Sequence, residues 1–116
     1  MKKPVLILIF ICFATLHLSA KVVRHVDTAK IYSVKLANTD LKNGKIKFLI
    51  RGGIVATYIK GQELFEKKYG VDYYDFGCVM PSGFSIEDYN KVVASFMDRK
   101  YGKVWRKEVR KDIRGI

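Results

Sequence analysis

Residues 45–60 read KIKFLIRGGIVATYIK and hold the clearest structural pattern in the chain. Two stretches rich in β-branched and aromatic residues flank Gly52 and Gly53. Glycine at both central positions permits the positive φ angles of a two-residue turn. The pattern therefore predicts a β-hairpin whose strands cover residues 45–51 and 54–60.

An alternative interpretation starts a helix near Ile54 and continues it to Tyr69. Gly61 and the β-branched run before it argue against so long a helix. A short helix over residues 62–69 fits better, because its acidic residues come early and its lysines come late, as the helix dipole favours. Gly70 is well placed to end it.

Further elements extend outward from the hairpin. Weak alternation predicts a strand over residues 31–36, and an aromatic run predicts another over residues 71–79. A helix over residues 86–101 is indicated by a Ser85 N-cap with Asp88 three residues on, a variant of the capping box. Its apolar residues recur at helical spacing: Ile86, Tyr89, Val93, Phe96, Met97 and Tyr101.

The last segment predicts a short basic helix over residues 103–113. Trp105, Val109 and Ile113 recur at intervals of four, which is typical of one helix face. Together the elements predict a small single-core α+β domain, in which an antiparallel sheet of three to four strands packs on the helix 86–101. We expect its Tyr89, Val93 and Phe96 stripe to meet Phe48, Ile50, Tyr58 and Phe76.

The first 20 residues resemble a cleavable signal peptide. Lys2 and Lys3 precede a long apolar run, and Ala20 supplies the small residue that signal peptidase requires. We expect cleavage after Ala20, so that residues 21–116 form one exported domain in the periplasm or outside the cell. An uncleaved anchor is the alternative, because about 17 apolar residues is the lower limit for a bilayer span.

Length and composition restrict the function. The remaining 96 residues allow one modest core, which excludes a multidomain enzyme, a doubly wound nucleotide-binding fold and a multi-span membrane protein. The residue types and spacings of zinc, haem, P-loop and serine-hydrolase motifs are missing from the sequence. We therefore predict no metal and no cofactor, and we regard an enzyme as the less favoured class.

The weak catalytic candidates are Cys78 and His25, with Asp27 as a residue that could orient the imidazole. Cys78 is the one cysteine left after leader removal, so it cannot form an internal disulfide. Its neighbours Phe76 and Val79 favour a buried structural thiol over a nucleophile.

Charge is unevenly distributed along the chain. The whole sequence carries +11, with +7 in residues 21–60, −4 in residues 61–98 and +6 in residues 99–116. Either the basic C-terminal helix is exposed and binds an anionic partner, or the basic ends fold against the acidic middle. The predicted anion-binding residues are Lys103, Trp105, Arg106, Lys107, Arg110 and Lys111.

Three functions follow as hypotheses. The first is an exported non-enzymatic interaction module, such as an inhibitor or an immunity-like protein, with a protein partner. The second is a binder of an anionic polymer or surface, such as lipopolysaccharide, anionic lipid, glycan or nucleic acid. The third is a small cysteine-dependent hydrolase that uses Cys78.

Overall fold

The structure of the protein is a computed structural model that describes residues 27–55 and 58–116. These residues form a small α+β domain with three α-helices, two β-strands and a short 3-10 helix. In chain order the elements are α1 (Thr28–Lys42), β1 (Lys47–Ile50), α2 (Gln62–Tyr69), β2 (Asp72–Asp75), α3 (Ile86–Tyr101) and the 3-10 helix Val104–Lys107. The predicted leader and His25 lie outside the described residues.

The predicted antiparallel sheet of three to four strands is wrong. Within the described part of the chain the sheet has two strands, and β1 and β2 run parallel from the pair Lys47 and Asp72 to the pair Ile50 and Asp75. In the sequence, helix α2 comes between the two strands, and it returns the chain to the end of the sheet at which β1 begins. A parallel neighbour requires such a crossover, whereas an antiparallel neighbour needs only a tight turn.

The predicted hairpin strand over residues 54–60 is also wrong. Ile54 and Val55 form a bend, residues 58 and 59 have no strand partner, and residues 56–57 are outside the described part. Gly52 serves a different purpose from a hairpin turn: a Cβ atom on it would collide with the Asp75 carboxylate. The glycine therefore permits close approach to the end of β2.

Residues 31–36, which the sequence predicts as a strand, belong to α1. Asp27 caps this helix by accepting a hydrogen bond from the Lys30 amide. Its buried residues are Ser33, Ala37 and Asp40, at helical spacing. They are small or polar, so the buried face of α1 produces no hydrophobic periodicity in the sequence.

The two other helices confirm their predictions. Helix α2 covers the predicted residues 62–69 and ends at Gly70, whose φ is +63°. Helix α3 covers the predicted residues 86–101, and the Ser85 side chain accepts a hydrogen bond from the Asp88 amide at 3.2 Å. The Ser85 amide donates to Ser33 Oγ at 2.8 Å, which ties the start of α3 to α1.

The core forms where α3 meets β1 and α1. Tyr89, Val93 and Met97 of α3 are completely buried, as is Phe48 of β1. Ile50 also lies in the core, while Phe76 and Phe96 are partly buried against it. The predicted core residue Tyr58 is wrong, because its side chain is 63% exposed.

The predicted C-terminal helix over residues 103–113 is reduced to the 3-10 helix. Its apolar residues Trp105, Val109 and Ile113 are nevertheless buried. In the segment after the 3-10 helix, Arg110 pairs with Asp112, two residues later. Side chains at that spacing do not face each other on a helix, so the pair requires irregular backbone.

Candidate functional site

The structure divides the six residues predicted to bind an anionic partner into two groups. Lys103, Lys107 and Lys111 are exposed on the surface. Trp105, Arg106 and Arg110 instead belong to internal contacts of the C-terminal segment. Only the three lysines are therefore placed to meet a ligand.

Trp105 and Arg106 converge on Asp98 of α3. The Trp105 indole is completely buried, stacks on Phe48 with 5.4 Å between ring centroids, and donates from Nε1 to Asp98 at 3.0 Å. The Arg106 guanidinium makes two hydrogen bonds to the same carboxylate, at 3.0 and 2.8 Å, and lies 4.8 Å from the indole ring. These donors hold the pKa of Asp98 below its usual range, with Arg106 as the main cause.

Arg110 is the most deeply buried cation of the predicted set. Its side chain donates two hydrogen bonds to Asp112, at 3.0 and 2.8 Å, and one to Gln62 Oε1 at 2.8 Å. The guanidinium lowers the pKa of Asp112, while burial raises the pKa of the neighbouring Tyr73 phenol to about 12. Three of the five guanidinium N–H groups are thus committed within the protein.

A cavity of about 390 Å³ lies beside Arg110, between α2 and the C-terminal segment. Phe65 and Tyr73 form its apolar wall, and Lys60 and Lys111 lie at its border. Because Asp112 already neutralises the buried guanidinium, the cavity does not present that charge to an anion.

Cys78 is exposed, so the predicted burial of its side chain is wrong. The chain turns at Gly77, whose φ is +68° and whose amide donates to Asp75 Oδ1 at 2.7 Å. This turn leaves Phe76 partly buried and directs Cys78 outward. Its proposed partner His25 is outside the described residues. In residues 27–55 and 58–116, no group of three or more His, Cys, Asp or Glu side chains could hold a metal ion.

A second concave surface lies between α1 and α3, and the sequence did not reveal it. We call it the α1–α3 groove; its volume is about 590 Å³. It is lined by Lys35, Asn38, Thr39, Leu41 and Lys42 of α1 and by Phe96 and Arg99 of α3. Three of these side chains are cationic and none is a carboxylate.

The helical spacing of α1 creates the polar side of the groove. Lys35, Asn38, Thr39 and Lys42 follow at intervals that place them on one helix face. Asn38 Nδ2 donates to the Val34 carbonyl and Thr39 Oγ1 to the Lys35 carbonyl, both at 2.9 Å. A strand over residues 31–36 conceals the groove, because only a helix that continues to Lys42 places Lys35 on one face with Asn38, Thr39 and Lys42.

Phe96 provides the aromatic part of the groove. One side of the residue packs against the core, and the ring also lines the groove. Lys100 Nζ lies 5.8 Å from the ring centroid and adds a fourth cation beside it. The groove thus combines an aromatic surface with a cationic border.

The pairing of charges leaves the surface strongly basic. All eleven carboxylates lie in the described residues, and five of them join an ion pair there, which leaves six outside such pairs. Of the 18 lysines and arginines in the same residues, five form ion pairs. The paired cations are Lys47, Lys68, Arg106, Arg110 and Arg114.

Comparison of the chain with protein-family models, curated proteins and solved structures finds no match in any of the three. Across the described ranges, no helix combines the length and the apolar character needed to span a bilayer. Function must therefore be inferred from the geometry and charge of the surface itself.

Proposed function

We propose that this protein is an exported, non-enzymatic binding module whose partner is a polyanion. The observation that carries the proposal is the surplus of positive charge: outside the five ion pairs, the described residues hold 13 lysines and arginines and six carboxylates. Export is inferred from the signal-peptide pattern of residues 1–20.

Unpaired cations occur in the C-terminal segment and at the α1–α3 groove. Lys103, Lys107 and Lys111 are exposed after α3, and Lys35 and Lys42 border the α1–α3 groove. Each cation that neutralises a group on a polyanion releases a condensed counterion, so the affinity depends steeply on salt. This attraction gives association without a deep pocket or a catalytic group.

Heparin chromatography tests the proposal. The wild type should be retained at physiological ionic strength and elute as salt is raised. Replacing Lys103, Lys107 and Lys111 by Gln should move elution to clearly lower salt, because three exposed charges are removed without touching Arg106 or Arg110, which hold the fold.

The matched control replaces the same three lysines by Arg and should elute with the wild type, since the charge is conserved. Flow-through of the wild-type protein at physiological ionic strength would refute the proposal. Equal elution of the Gln variant and the wild type would remove the C-terminal lysines from the binding surface.

A further inference from the structure

The α1–α3 groove contains an aromatic residue and polar side chains in addition to its cations. Polyanion binding by charge alone needs only cations, but here Phe96 lines the groove together with Lys35, Lys42 and Arg99. The groove is shallow and open to solvent, with a volume of about 590 Å³, so it suits an extended polymer lying on the surface. The ligand is therefore expected to offer both negative charge and a flat apolar face.

Hydrogen bonding within the groove adds a second requirement. The Asn38 amide nitrogen is committed to the Val34 carbonyl, which leaves Asn38 Oδ1 as an acceptor. Thr39 donates its hydroxyl to the Lys35 carbonyl, which leaves its oxygen lone pairs as acceptors. A suitable ligand would present hydrogen-bond donors between its anionic groups.

We propose that the α1–α3 groove binds single-stranded nucleic acid, an inference that rests on the proposed polyanion-binding function. Lys100 Nζ, which lies 5.8 Å from the centroid of the Phe96 ring, moves from the ring to a phosphate, and Phe96 then stacks on an unpaired base. Lys35, Lys42 and Arg99 contact the flanking phosphates. An aromatic platform in a basic groove is the usual means of holding a single strand without sequence preference. Trp105 does not serve this purpose, because it is completely buried.

Other polyanions match the groove less well. Sulfated glycans supply charge but no planar aromatic face that can stack on Phe96. Duplex DNA keeps its bases stacked inside the helix, so it would engage the cations and leave the ring unused. These polymers are alternative outcomes of the experiment.

The experiment measures fluorescence anisotropy with a short labelled oligodeoxyadenylate and with an abasic oligonucleotide of equal length. The two probes carry the same phosphates, so their difference isolates the base. Wild type should bind the oligodeoxyadenylate more tightly, and Phe96→Leu should weaken that binding about tenfold. The same variant should leave abasic binding and heparin retention unchanged.

Charge variants test the border of the groove. Replacing both Lys35 and Lys42 by Gln should weaken binding of both probes. The control replaces Lys30 and Lys67 by Gln, two exposed lysines that do not line the groove. It removes the same charge and should weaken binding of the two probes less. Equal losses in the two double variants would contradict a discrete site.

Phe96→Tyr covers the case in which the Leu variant fails to fold. Tyr keeps the aromatic ring, so this variant should bind the oligodeoxyadenylate as the wild type does. Equal wild-type affinity for both probes would overturn the nucleic-acid inference and leave polyanion binding intact. If the wild-type protein is not retained on heparin, the proposed polyanion-binding function is overturned as well.

Discussion

Asn90 illustrates how much one polar side chain can contribute to a small fold. It is completely buried on α3. Its Oδ1 accepts from the Leu49 amide, and its Nδ2 donates to the carbonyls of Leu49 and Arg114, all at 2.9 Å. The side chain thus takes the place of a neighbouring strand along the outer edge of β1, and it also holds the C-terminal segment.

We predict that Asn90→Ala lowers the free energy of unfolding by about 2–4 kcal/mol, because buried backbone groups lose their partners. Urea unfolding followed by far-UV circular dichroism measures the change. Ser95→Ala is the control on the same helix; its hydroxyl bonds the Lys91 carbonyl at the surface, and its removal should change stability by less than about 0.5 kcal/mol. Similar stabilities for the two variants would contradict the assigned importance of Asn90.

Glu66 occupies the outer edge of β2, as Asn90 occupies the outer edge of β1. Its carboxylate accepts a hydrogen bond from the Tyr73 amide at 3.0 Å, on the edge that faces away from β1. A two-stranded sheet has two open edges, and polar side chains from α2 and α3 therefore occupy both at their centres. Neither contact has a sequence signature, because each joins residues from different elements.

At the level of elements, a helix can be recognised from the sequence when the residues it buries are large and apolar. Helix α3 shows a strong apolar stripe and a capping pair, so its bounds were predicted correctly. Helix α1 buries Ser33, Ala37 and Asp40, which carry no hydrophobic pattern, and it was assigned to a strand. The α1–α3 groove was lost with it, because the groove depends on the helical spacing of Lys35 and Lys42.

The strand partner was the other element-level error. Residues 45–51 and 71–79 were identified as strand regions, and a helix was predicted between them. Strand, helix and strand in that order favour a parallel pair. The two glycines after β1 instead favour a hairpin turn, but Gly52 is explained by its close approach to Asp75.

We predict that Gly52→Ala destabilises the protein, because its new Cβ would displace the Asp75 carboxylate. Asp75→Ala should be destabilising too, since the Gly77 amide loses its acceptor. Combining the two should cost less than the sum of the single changes, because the methyl group then meets no carboxylate. Thermal or urea unfolding of the four proteins completes the cycle, and additive losses would mean that the contact does not explain Gly52.

At the scale of the whole molecule, the basic C-terminal segment divides its cations between ion pairs with the acidic middle of the chain and the exposed surface. Arg106 and Arg114 of the basic C-terminal segment pair with Asp98 and Glu87 of the acidic middle. Lys103, by contrast, remains on the surface with the other unpaired lysines. Ion pairing therefore removes equal numbers of positive and negative charges, and the positive surplus of the described residues remains, with Lys103, Lys107 and Lys111 on the surface.

Three ion pairs of the C-terminal segment make stability depend on pH. Two of them attach the segment to α2 and α3, and the third lies within it. Arg106, Lys68 and Arg110 lower the pKa values of Asp98, Glu108 and Asp112 in the folded protein. A lowered pKa means that the unfolded chain binds more protons, so these pairs stabilise the fold above the ordinary carboxyl pKa of about 4. The contribution is lost as pH falls from there through the folded-state values.

We predict that Asp98→Asn lowers stability at neutral pH and makes the acid dependence shallower. Asparagine can still accept from Trp105, but it has no charge for Arg106 and takes up no proton. Urea unfolding at a series of pH values between neutral and strongly acidic measures the slope, which should decrease by up to one proton. Trp105, the single tryptophan, reports the C-terminal segment by fluorescence, and far-UV circular dichroism reports the helices.

Trp105 lies in the same core as α3 and β1, so the two probes should follow one transition. Asp72→Asn is the matched control: it removes an exposed carboxylate that joins none of the five described ion pairs, and its acid profile should follow the wild type. If Asp98→Asn kept the wild-type slope, the pair with Arg106 would not be a source of acid sensitivity. A fluorescence change at higher pH than the loss of helix would instead show that the C-terminal segment detaches before the core unfolds.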